Sequence, residues 1–217
     1  MIDDVKRAAG AVSPVPRRAT RQRRTKETSI DVEVALDGSG AVEVDTGLPF
    51  FDHMLSQLGR HGGLDLRITA SGDLHVDAHH TVEDVGIVLG EALASAMGDK
   101  AGIRRFSSIA LPLDEALVEV ALDISGRPYL AYDVAFGPDV APLGSPPFDP
   151  QLAEEFWRAL VTAAGFTLHL RLVTGKNTHH VLEASFKGTA RCLRDALRLE
   201  GAGVPSTKGT LGTAPGA

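Results

Sequence analysis

Two copies of one short pattern place imidazoles and a carboxylate within reach of each other. The first copy is His79-His80-Thr81-Val82-Glu83, and the second is His179-His180-Val181-Leu182-Glu183. Residues three and four apart share one face of a helix, so each glutamate lies beside the histidines of its own copy. Adjacent histidines at a helix start point about 100° apart, and they therefore reach two different ions. The doubled pattern predicts a metal-dependent enzyme with a paired metal centre.

Two further residues lie at matched positions upstream of the two copies. His53 precedes the first copy, and Glu155 precedes the second at nearly the same distance. Together with the motif residues they give eight candidate ligands, enough for two ions with four protein ligands each. We expect the two motifs to meet across an internal two-fold axis in one shared centre. The candidate metal ligands are His53, His79, His80, Glu83, Glu155, His179, His180 and Glu183.

The chemistry of this ligand set leaves several functions open. Nitrogen and oxygen ligands without sulfur suit manganese, iron, nickel, cobalt or zinc, and an octahedral ion with four protein ligands keeps two positions for substrate. The order of residues differs from that of the zinc proteases, in which a glutamate base stands between two histidines. Besides another kind of metal-dependent enzyme, this ligand set is compatible with a binuclear hydrolase that uses a bridging hydroxide and with a non-catalytic metal-binding assembly protein.

Composition narrows the class of protein. A chain of 217 residues fits one ordinary domain or two small halves, and a net charge of −6 argues against a nucleic-acid surface. The single cysteine, Cys192, excludes intrachain disulfides and thiolate zinc sites. No segment approaches the roughly 18 consecutive apolar residues of a membrane span, and the N-terminus lacks the apolar core of a signal peptide. We therefore expect a cytoplasmic protein without membrane attachment.

The elements that position the motifs follow from apolar periodicity. Alternation predicts a strand over 28–34 that forms a hairpin with residues 42–44. It also predicts strands over 64–68, 74–76, 117–124 and 167–173. Helical spacing predicts helices over 50–58, 81–96, 152–163 and 179–199, so that both His-His pairs stand at helix starts. A Pro- and Gly-rich loop spans about 137–150.

The second half of this pattern repeats the first. Leu74-His75-Val76 before the first motif matches Leu168-His169-Leu170 before the second. The predicted fold is α+β, an internally duplicated two-layer α/β sandwich with two similar halves related by a pseudo-two-fold. The predicted organisation is a flexible, basic N-terminal arm over 1–22, one domain over 23–211 and a tail over 212–217. The two halves of the domain are predicted at about 23–108 and 109–211.

Longer stretches around the motifs resemble the imidazoleglycerol-phosphate dehydratases. These stretches are Asp45–Leu55, His79–Asp84, Ser125–Pro128, His179–Ala184 and Pro205–Gly209. The resemblance covers nearly all of 23–211, and it implies a duplicated α/β sandwich. It also implies a lyase of histidine biosynthesis that converts D-erythro-imidazole-glycerol phosphate to imidazole-acetol phosphate with two Mn²⁺ per active site. Family members assemble from trimers into a shell of two dozen subunits, with active sites between neighbouring subunits.

The resemblance also assigns roles to individual residues. It implies the eight metal ligands given above, although the position of Glu155 is often His in the family. The implied substrate-binding residues are the ligands His53, His79, His80, Glu83, His179 and His180, together with Glu27, Arg105, Arg127, Lys187, Ser206 and Lys208. The arginines and lysines of this set could cradle the phosphate, with Ser206 as a hydrogen-bond donor.

The mechanism implied for such a lyase uses the ions as Lewis acids. Coordination of both ring nitrogens would stabilise the imidazolate form of the substrate, which then expels a hydroxyl through a diazafulvene-like intermediate. Loss of the neighbouring hydrogen gives an enol that becomes the ketone. A positioned carboxylate must move the proton, and Glu27 is the candidate catalytic acid/base, with Asp114 and Glu115 as lesser candidates.

Overall fold

The chain folds into two successive units with the same order of elements. The computed structural model describes residues 16–137 and 140–212, and in this part each unit runs strand, strand, strand, helix, strand, helix. The first unit contains β1 (Arg18–Arg24), β2 (Thr28–Ala35), β3 (Val42–Asp45), α1 (Pro49–Gly62), β4 (Asp65–Gly72) and α2 (His79–Met97). The second contains β5 (Phe106–Leu113), β6 (Ala116–Asp123), β7 (Tyr129–Asp133), α3 (Leu152–Ala164), β8 (Thr167–Thr174) and α4 (Thr178–Ala196). The predicted α+β fold of two similar halves is confirmed.

Each half contains one mixed four-stranded sheet. The strand orders are β1-β2-β4-β3 and β5-β6-β8-β7. In the first sheet β4 pairs antiparallel with β2 and parallel with β3, and the second sheet repeats these pairings. The predicted hairpin of β2 with β3 is therefore wrong, because β4 lies between them. A parallel pair needs a crossover connection, and α1 provides it between β3 and β4.

The four helices lie between the two sheets. Helix α2 packs on β1 and β2, and α4 packs on β5 and β6, while α2 also contacts α3 and α1 contacts α4. The inner face of each sheet is apolar: Ile30, Val32 and Val34 of β2 are at most 3% exposed and alternate with less buried residues. Helix packing therefore joins the two halves through one core. Among the described residues, no helix combines the length and apolarity of a membrane span.

Two glycines allow α2 and α3 to approach each other closely. A Cβ added to Gly86 would lie 2.8 Å from the Phe156 carbonyl oxygen, and one added to Gly90 would lie 2.6 Å from that of Leu160. Residues four apart share a helix face, so the two glycines form one groove for α3. Any side chain larger than hydrogen at these positions would push the two halves apart.

The N-terminal boundary of the domain differs from the prediction. Residues 18–22, which were assigned to a flexible arm, belong to β1, and β1 pairs with β2 along its whole length. Most β1 side chains are exposed and several are arginines, so the strand lacks the apolar alternation by which sequence analysis finds strands. The remainder of the predicted arm, residues 1–15, lies outside the described residues, as does the tail over 213–217.

The internal repeat also aligns differently from the sequence prediction. Residues 74–76 form a turn rather than a strand, so they do not match Leu168–Leu170 of β8. The residues equivalent to Leu168–Leu170 are Leu66–Ile68 of β4. Leu66–Ile68 pair with residues 32–34 of β2, as Leu168–Leu170 pair with residues 120–122 of β6. The two halves meet between Met97 and Phe106, so 106–108 belong to the second half.

Candidate active site

One cluster of ligand atoms joins α1 of the first half to α4 of the second. Nε2 of His53 lies 3.2 Å from Oε2 of Glu183, and Nε2 of His179 lies 2.8 Å from the same oxygen. The ligand atoms of these three residues lie within 4.8 Å of one another. The side chain of Asn177 caps α4 by accepting a bond from the backbone N–H of His180, which fixes the helix start. Two imidazoles and one carboxylate suit a divalent first-row metal ion.

Glu183 is ionised in this cluster. Burial alone would raise the pKa of Glu183, but hydrogen bonds from Lys187, His179 and His53 outweigh burial and lower it to about 2. Nζ of Lys187 lies 2.5 Å from Oε1 of Glu183. A carboxylate must be deprotonated to bind a metal ion, so this electrostatic setting favours ligation. Within the single chain, Lys187 contacts this carboxylate rather than the cationic cavity described below.

The first motif and α3 form the counterpart of this cluster. Nε2 of His79 lies 4.0 Å from Oε2 of Glu83, and Glu155 lines the same cavity as His79. The Glu155 carboxylate also lies 3.6 Å from Nε of Arg158. This second cluster is looser than the first, because its three ligand atoms do not all lie within 4.8 Å of one another.

Glu155 is the structural counterpart of His53. Each residue lies ten positions before the glycine that ends its helix, Gly63 for α1 and Gly165 for α3. Both glycines have positive φ angles, 65° and 71°, as is typical of a left-handed helix end. The match that the sequence predicted between His53 and Glu155 therefore agrees with their places in the fold.

The second histidine of each motif turns toward a carboxylate of its own half. Nδ1 of His80 lies 3.0 Å from Asp73 and 3.9 Å from Glu27, and Nδ1 of His180 lies 2.7 Å from Glu115. The hydrogen bond that His80 donates to Asp73 raises the pKa of His80, and the one that His180 donates to Glu115 raises the pKa of His180. A carboxylate on Nδ1 orients the ring and leaves Nε2 as the ligand atom.

The two motifs of one chain do not form one shared cluster. Over residues 16–137 and 140–212, the compact ligand groups are His53 with His179 and Glu183, and Glu27 with Asp73 and His80. Helix packing explains the separation, since α4 contacts α1 whereas α2 contacts α3. The prediction of a single shared centre is therefore wrong for the single chain. Each of the two clusters nevertheless combines one helix from the first half with one helix from the second.

Glu27 lies in the turn between β1 and β2, and its side chain is 56% exposed. The turn is fastened to α2 through Asp84, which accepts a bond from Nε of Arg23 at 2.8 Å and another from the Thr28 hydroxyl. The Thr25 hydroxyl accepts bonds from the backbone N–H groups of Glu27 and Thr28. The backbone of the turn is thus fixed while the Glu27 carboxylate stays accessible.

Glu115 is the corresponding carboxylate of the second half, and it accepts more hydrogen bonds than Glu27 does. Hydrogen bonds from His180 and from the backbone N–H groups of Asn177 and Lys176 lower the pKa of Glu115 to about 2. A carboxylate that already accepts three bonds is poorly suited to accept a proton. The sequence indicates Glu115 only as a lesser candidate and assigns no role to Asp73 or Asp84, because their hydrogen-bond partners lie in other elements of the fold.

A cavity of about 820 Å³ is lined by four of the predicted phosphate contacts, Arg105, Arg127, Ser206 and Lys208. Arg105 is held by Asp123, which accepts from its Nε at 2.7 Å and from its Nη2 at 3.1 Å. Three cationic side chains and a hydroxyl around one cavity match the donors that bind phosphate.

Comparisons with known proteins relate the chain to one family. The family model described as imidazoleglycerol-phosphate dehydratase matches residues 46–193. An imidazoleglycerol-phosphate dehydratase of Acidothermus cellulolyticus is 52% identical over 206 residues, covering 94% of this chain and 98% of the relative. One of Dinoroseobacter shibae is 54% identical over 198 residues, covering 90% of this chain and 100% of the relative.

Two solved structures are also similar. The crystal structure of imidazoleglycerol-phosphate dehydratase from Staphylococcus aureus has a TM-score of 0.74 and 38% identity, covering 84% of this chain and 99% of that chain. The structure of the enzyme from Pyrococcus furiosus in complex with (S)-C348 has a TM-score of 0.74 and 39% identity, covering 88% and 99%. The duplicated fold, the histidine clusters and these matches place the chain in the imidazoleglycerol-phosphate dehydratase family.

Proposed function

We propose that this chain is a manganese-dependent dehydratase of histidine biosynthesis that acts in the cytoplasm. Its substrate is D-erythro-imidazole-glycerol phosphate, and its product is imidazole-acetol phosphate. The observation that carries the proposal is the pair of histidine–carboxylate clusters on α1/α4 and α2/α3, in a chain that also has a cationic cavity. The clusters suit an imidazole-binding metal centre, and the cavity suits the phosphate.

The residues of both clusters fit Mn²⁺ by their donor chemistry. His53, His179 and Glu183 would hold one ion, and His79, Glu83 and Glu155 would hold the other, with only nitrogen and oxygen donors. When bound, the two ions supply Lewis acidity to the imidazole ring of the substrate.

The residues of the chain perform the remaining steps. Arg105, Arg127, Ser206 and Lys208 bind the phosphate and so fix the glycerol side chain relative to the ring. The carbon next to the ring loses its hydroxyl, and the adjacent carbon of the side chain loses a proton. Glu27 accepts that proton, because its carboxylate is exposed and lies next to His80. Glu115 cannot replace it while it accepts bonds from His180 and two backbone N–H groups.

Self-association would complete the metal sites. Each cluster holds three candidate ligands, whereas His80 and His180 turn away toward carboxylates of their own half. A neighbouring copy could offer Nε2 of either histidine as the fourth ligand. The three-ligand clusters support sites shared between subunits, and the family resemblance supports assembly into trimers and a shell of two dozen subunits. Neither nucleic acid nor a membrane is part of this proposal.

Turnover tests the proposal directly. The purified protein is loaded with Mn²⁺, incubated with imidazole-glycerol phosphate, and its products are identified by mass spectrometry. We expect a mass loss of one water and no activity after chelation, with activity restored by added Mn²⁺. Release of inorganic phosphate instead would favour a binuclear metallohydrolase. Intact substrate with fully loaded protein would favour a non-catalytic metal-binding protein and would overturn the proposal.

A further inference from the structure

The link between the two halves contains two strained residues. Over 98–105, Lys100 has a φ angle of 63° and Arg105 has one of 78°, although neither is glycine. Side chains other than hydrogen disfavour this left-handed conformation, which persists only where surrounding contacts hold it. Backbone hydrogen bonds hold the link to residues 196–203, and the side chains of Lys100 and Arg105 make further contacts.

Both side chains reach the same distant segment. Nη1 of Arg105 donates to the Pro205 carbonyl oxygen at 2.8 Å, and Nζ of Lys100 donates to that of Gly212 at 2.6 Å. These acceptors bound the stretch 205–212, which we call the C-terminal segment. Ser206 and Lys208 of the cationic cavity lie inside it. The link thus holds both ends of the segment that contributes to the cavity.

Lys100 is unusual among charged residues in being only 3% exposed. No carboxylate in the described ranges lies within ion-pair distance of its ammonium group, so the Gly212 carbonyl is its polar partner. Burial lowers the pKa of Lys100. A buried cation with a single backbone acceptor is costly, which indicates a role beyond general packing.

The same end of the segment contacts the turn that carries Arg127. A Cβ added to Gly126 would lie 2.2 Å from the Gly212 carbonyl oxygen, so the two backbones meet directly. Gly126 has a φ angle of 74° and precedes Arg127 in the chain. Holding Gly212 therefore also sets the distance between the C-terminal segment and Arg127.

We propose that Lys100 is a positioning residue of the cationic cavity. Its bond to the Gly212 carbonyl holds the C-terminal segment so that Ser206 and Lys208 face Arg105 and Arg127. The assignment of phosphate as the ligand rests on the proposed function, whereas the fastening of the segment does not.

The first experiment replaces the ammonium group by an apolar chain of similar length. Full-length Lys100→Met and wild-type protein are treated with trypsin, and the peptide 209–217 released by cleavage after Lys208 is quantified. We expect release to be at least about tenfold faster in the variant, because local opening controls such cleavage. Inorganic phosphate should slow release in wild type, and about tenfold more phosphate should be needed in the variant. Arg171→Met, on the exposed face of β8, is the matched control and should behave as wild type.

Equal rates of release in Lys100→Met and wild type would overturn the proposal. In turnover assays the variant should raise KM about tenfold while kcat and metal content stay within about twofold, and Lys100→Arg should recover most of the loss. A parallel fall of kcat and metal content would instead indicate a purely structural role. The rate of proteolysis does not depend on the reaction that the protein catalyses. It therefore tests the bond between Lys100 and the C-terminal segment even if the protein is not a dehydratase.

Hydrogen exchange on the wild type covers the case in which Lys100→Met does not fold. Addition of inorganic phosphate should slow exchange in the C-terminal segment and in the link 98–105 together. Protection of the segment without protection of the link would contradict the proposal.

Discussion

At the residue scale, carboxylates in equivalent places of the two halves have different surroundings. Glu27 and Glu115 both stand in the turn between the first two strands of their half, and each lies near the second histidine of the local motif. Glu115 is fixed by backbone donors, and Glu27 is not. This difference, rather than sequence position, favours Glu27 as the group that transfers a proton.

Replacement of Glu27 by glutamine tests that role. The amide keeps the shape of the side chain but cannot accept a proton, so kcat should fall about 10²- to 10⁴-fold. Metal content, measured by elemental analysis, should remain that of wild type. Glu33→Gln, an exposed glutamate on β2, is the matched control. A Glu27→Gln enzyme with wild-type kcat would assign the proton transfer to another group.

Replacement of Glu155 by glutamine tests the second metal cluster. Loss of its charge should lower the occupancy of one ion, so the variant should bind about one metal equivalent fewer per chain after dialysis. Glu91→Gln provides the control, because Glu91 is an exposed glutamate of α2 that does not line this cavity. Two full equivalents in Glu155→Gln would require a different ligand at this position.

At the element scale, the glycine groove on α2 determines how closely the halves pack. Gly86 and Gly90 admit the backbone of α3, and His79 and Glu83 lie on the same helix one to two turns earlier. The spacing of α2 and α3 therefore also sets the distance between the first motif and Glu155. A change in this groove should affect both stability and metal binding.

Gly86→Val should destabilise the protein through overpacking. Its Cβ would lie within 3 Å of Phe156 and Ala159, so the free energy of unfolding should fall by about 1–3 kcal/mol. Thermal denaturation at fixed protein concentration measures the loss as a lower Tm. Glu91→Val, at an exposed position of α2, should have a much smaller effect. Equal melting curves for Gly86→Val and wild type would argue that the helices do not pack this closely.

The connection between β2 and β3 predicts a dependence of stability on pH. Hydrogen bonds from the backbone N–H groups of Ala41 and Ser39 lower the pKa of Asp65 below its ordinary value of 3.8. A lowered folded-state pKa means that ionised Asp65 stabilises the fold above about pH 4, and that this contribution is lost as the pH falls further.

Asp65→Asn should therefore be less stable than wild type at pH 6, and the difference should shrink toward pH 3. Urea denaturation at both pH values measures it, with Glu33→Gln as the control. A difference that stays constant between the two pH values would show that the charge of Asp65 does not contribute.

Apolar periodicity predicted most of the elements, but it also predicted a strand at 74–76 where the structure has a turn, and it missed β1, β5 and β7. All four helices and the strands β2, β4, β6 and β8 follow the 3.6- or two-residue repeat of a buried face. The edge strands β1 and β5 expose most of their outer side chains and escape this criterion. Strand order was also missed, because pairing β3 with β4 depends on packing over α1 rather than on neighbouring residues.

The same distinction applies to the site. Spacing within each motif predicted which side chains share a helix face as candidate ligands, because helix geometry is local. It could not show that α4 packs on α1 and α2 on α3, which separates the motifs and brings His53 to His179. The backbone bonds that Glu115 accepts and the bond from Lys100 to Gly212 join distant parts of the chain, so no local sequence pattern predicts them.

At the scale of the whole molecule, metal binding and assembly should be coupled. Three candidate ligands per cluster lie in one chain, and the fourth is proposed to come from a neighbouring copy. Binding free energy released at such a site also holds the copies together. Removal of the metal should therefore act on the assembly and not only on turnover.

Sedimentation velocity tests this coupling. Chelation should convert the assembled protein to smaller species, and added Mn²⁺ should restore the original mass. His180→Ala should weaken assembly in the presence of metal, whereas His169→Ala, at an exposed position of β8 outside both clusters, should not. An assembly of unchanged mass after complete metal removal would show that protein contacts alone hold it.

Each cluster combines helices of both halves, and this affects how the two clusters can change in evolution. In a pair of identical short chains, each substitution would appear twice, and both clusters would have to change together. Joining the copies in one reading frame removes that restriction, so His53 and Glu155 can differ at equivalent places. The cluster with Glu155 thereby has a second carboxylate, so the metal affinities of the two proposed sites can be tuned separately by selection.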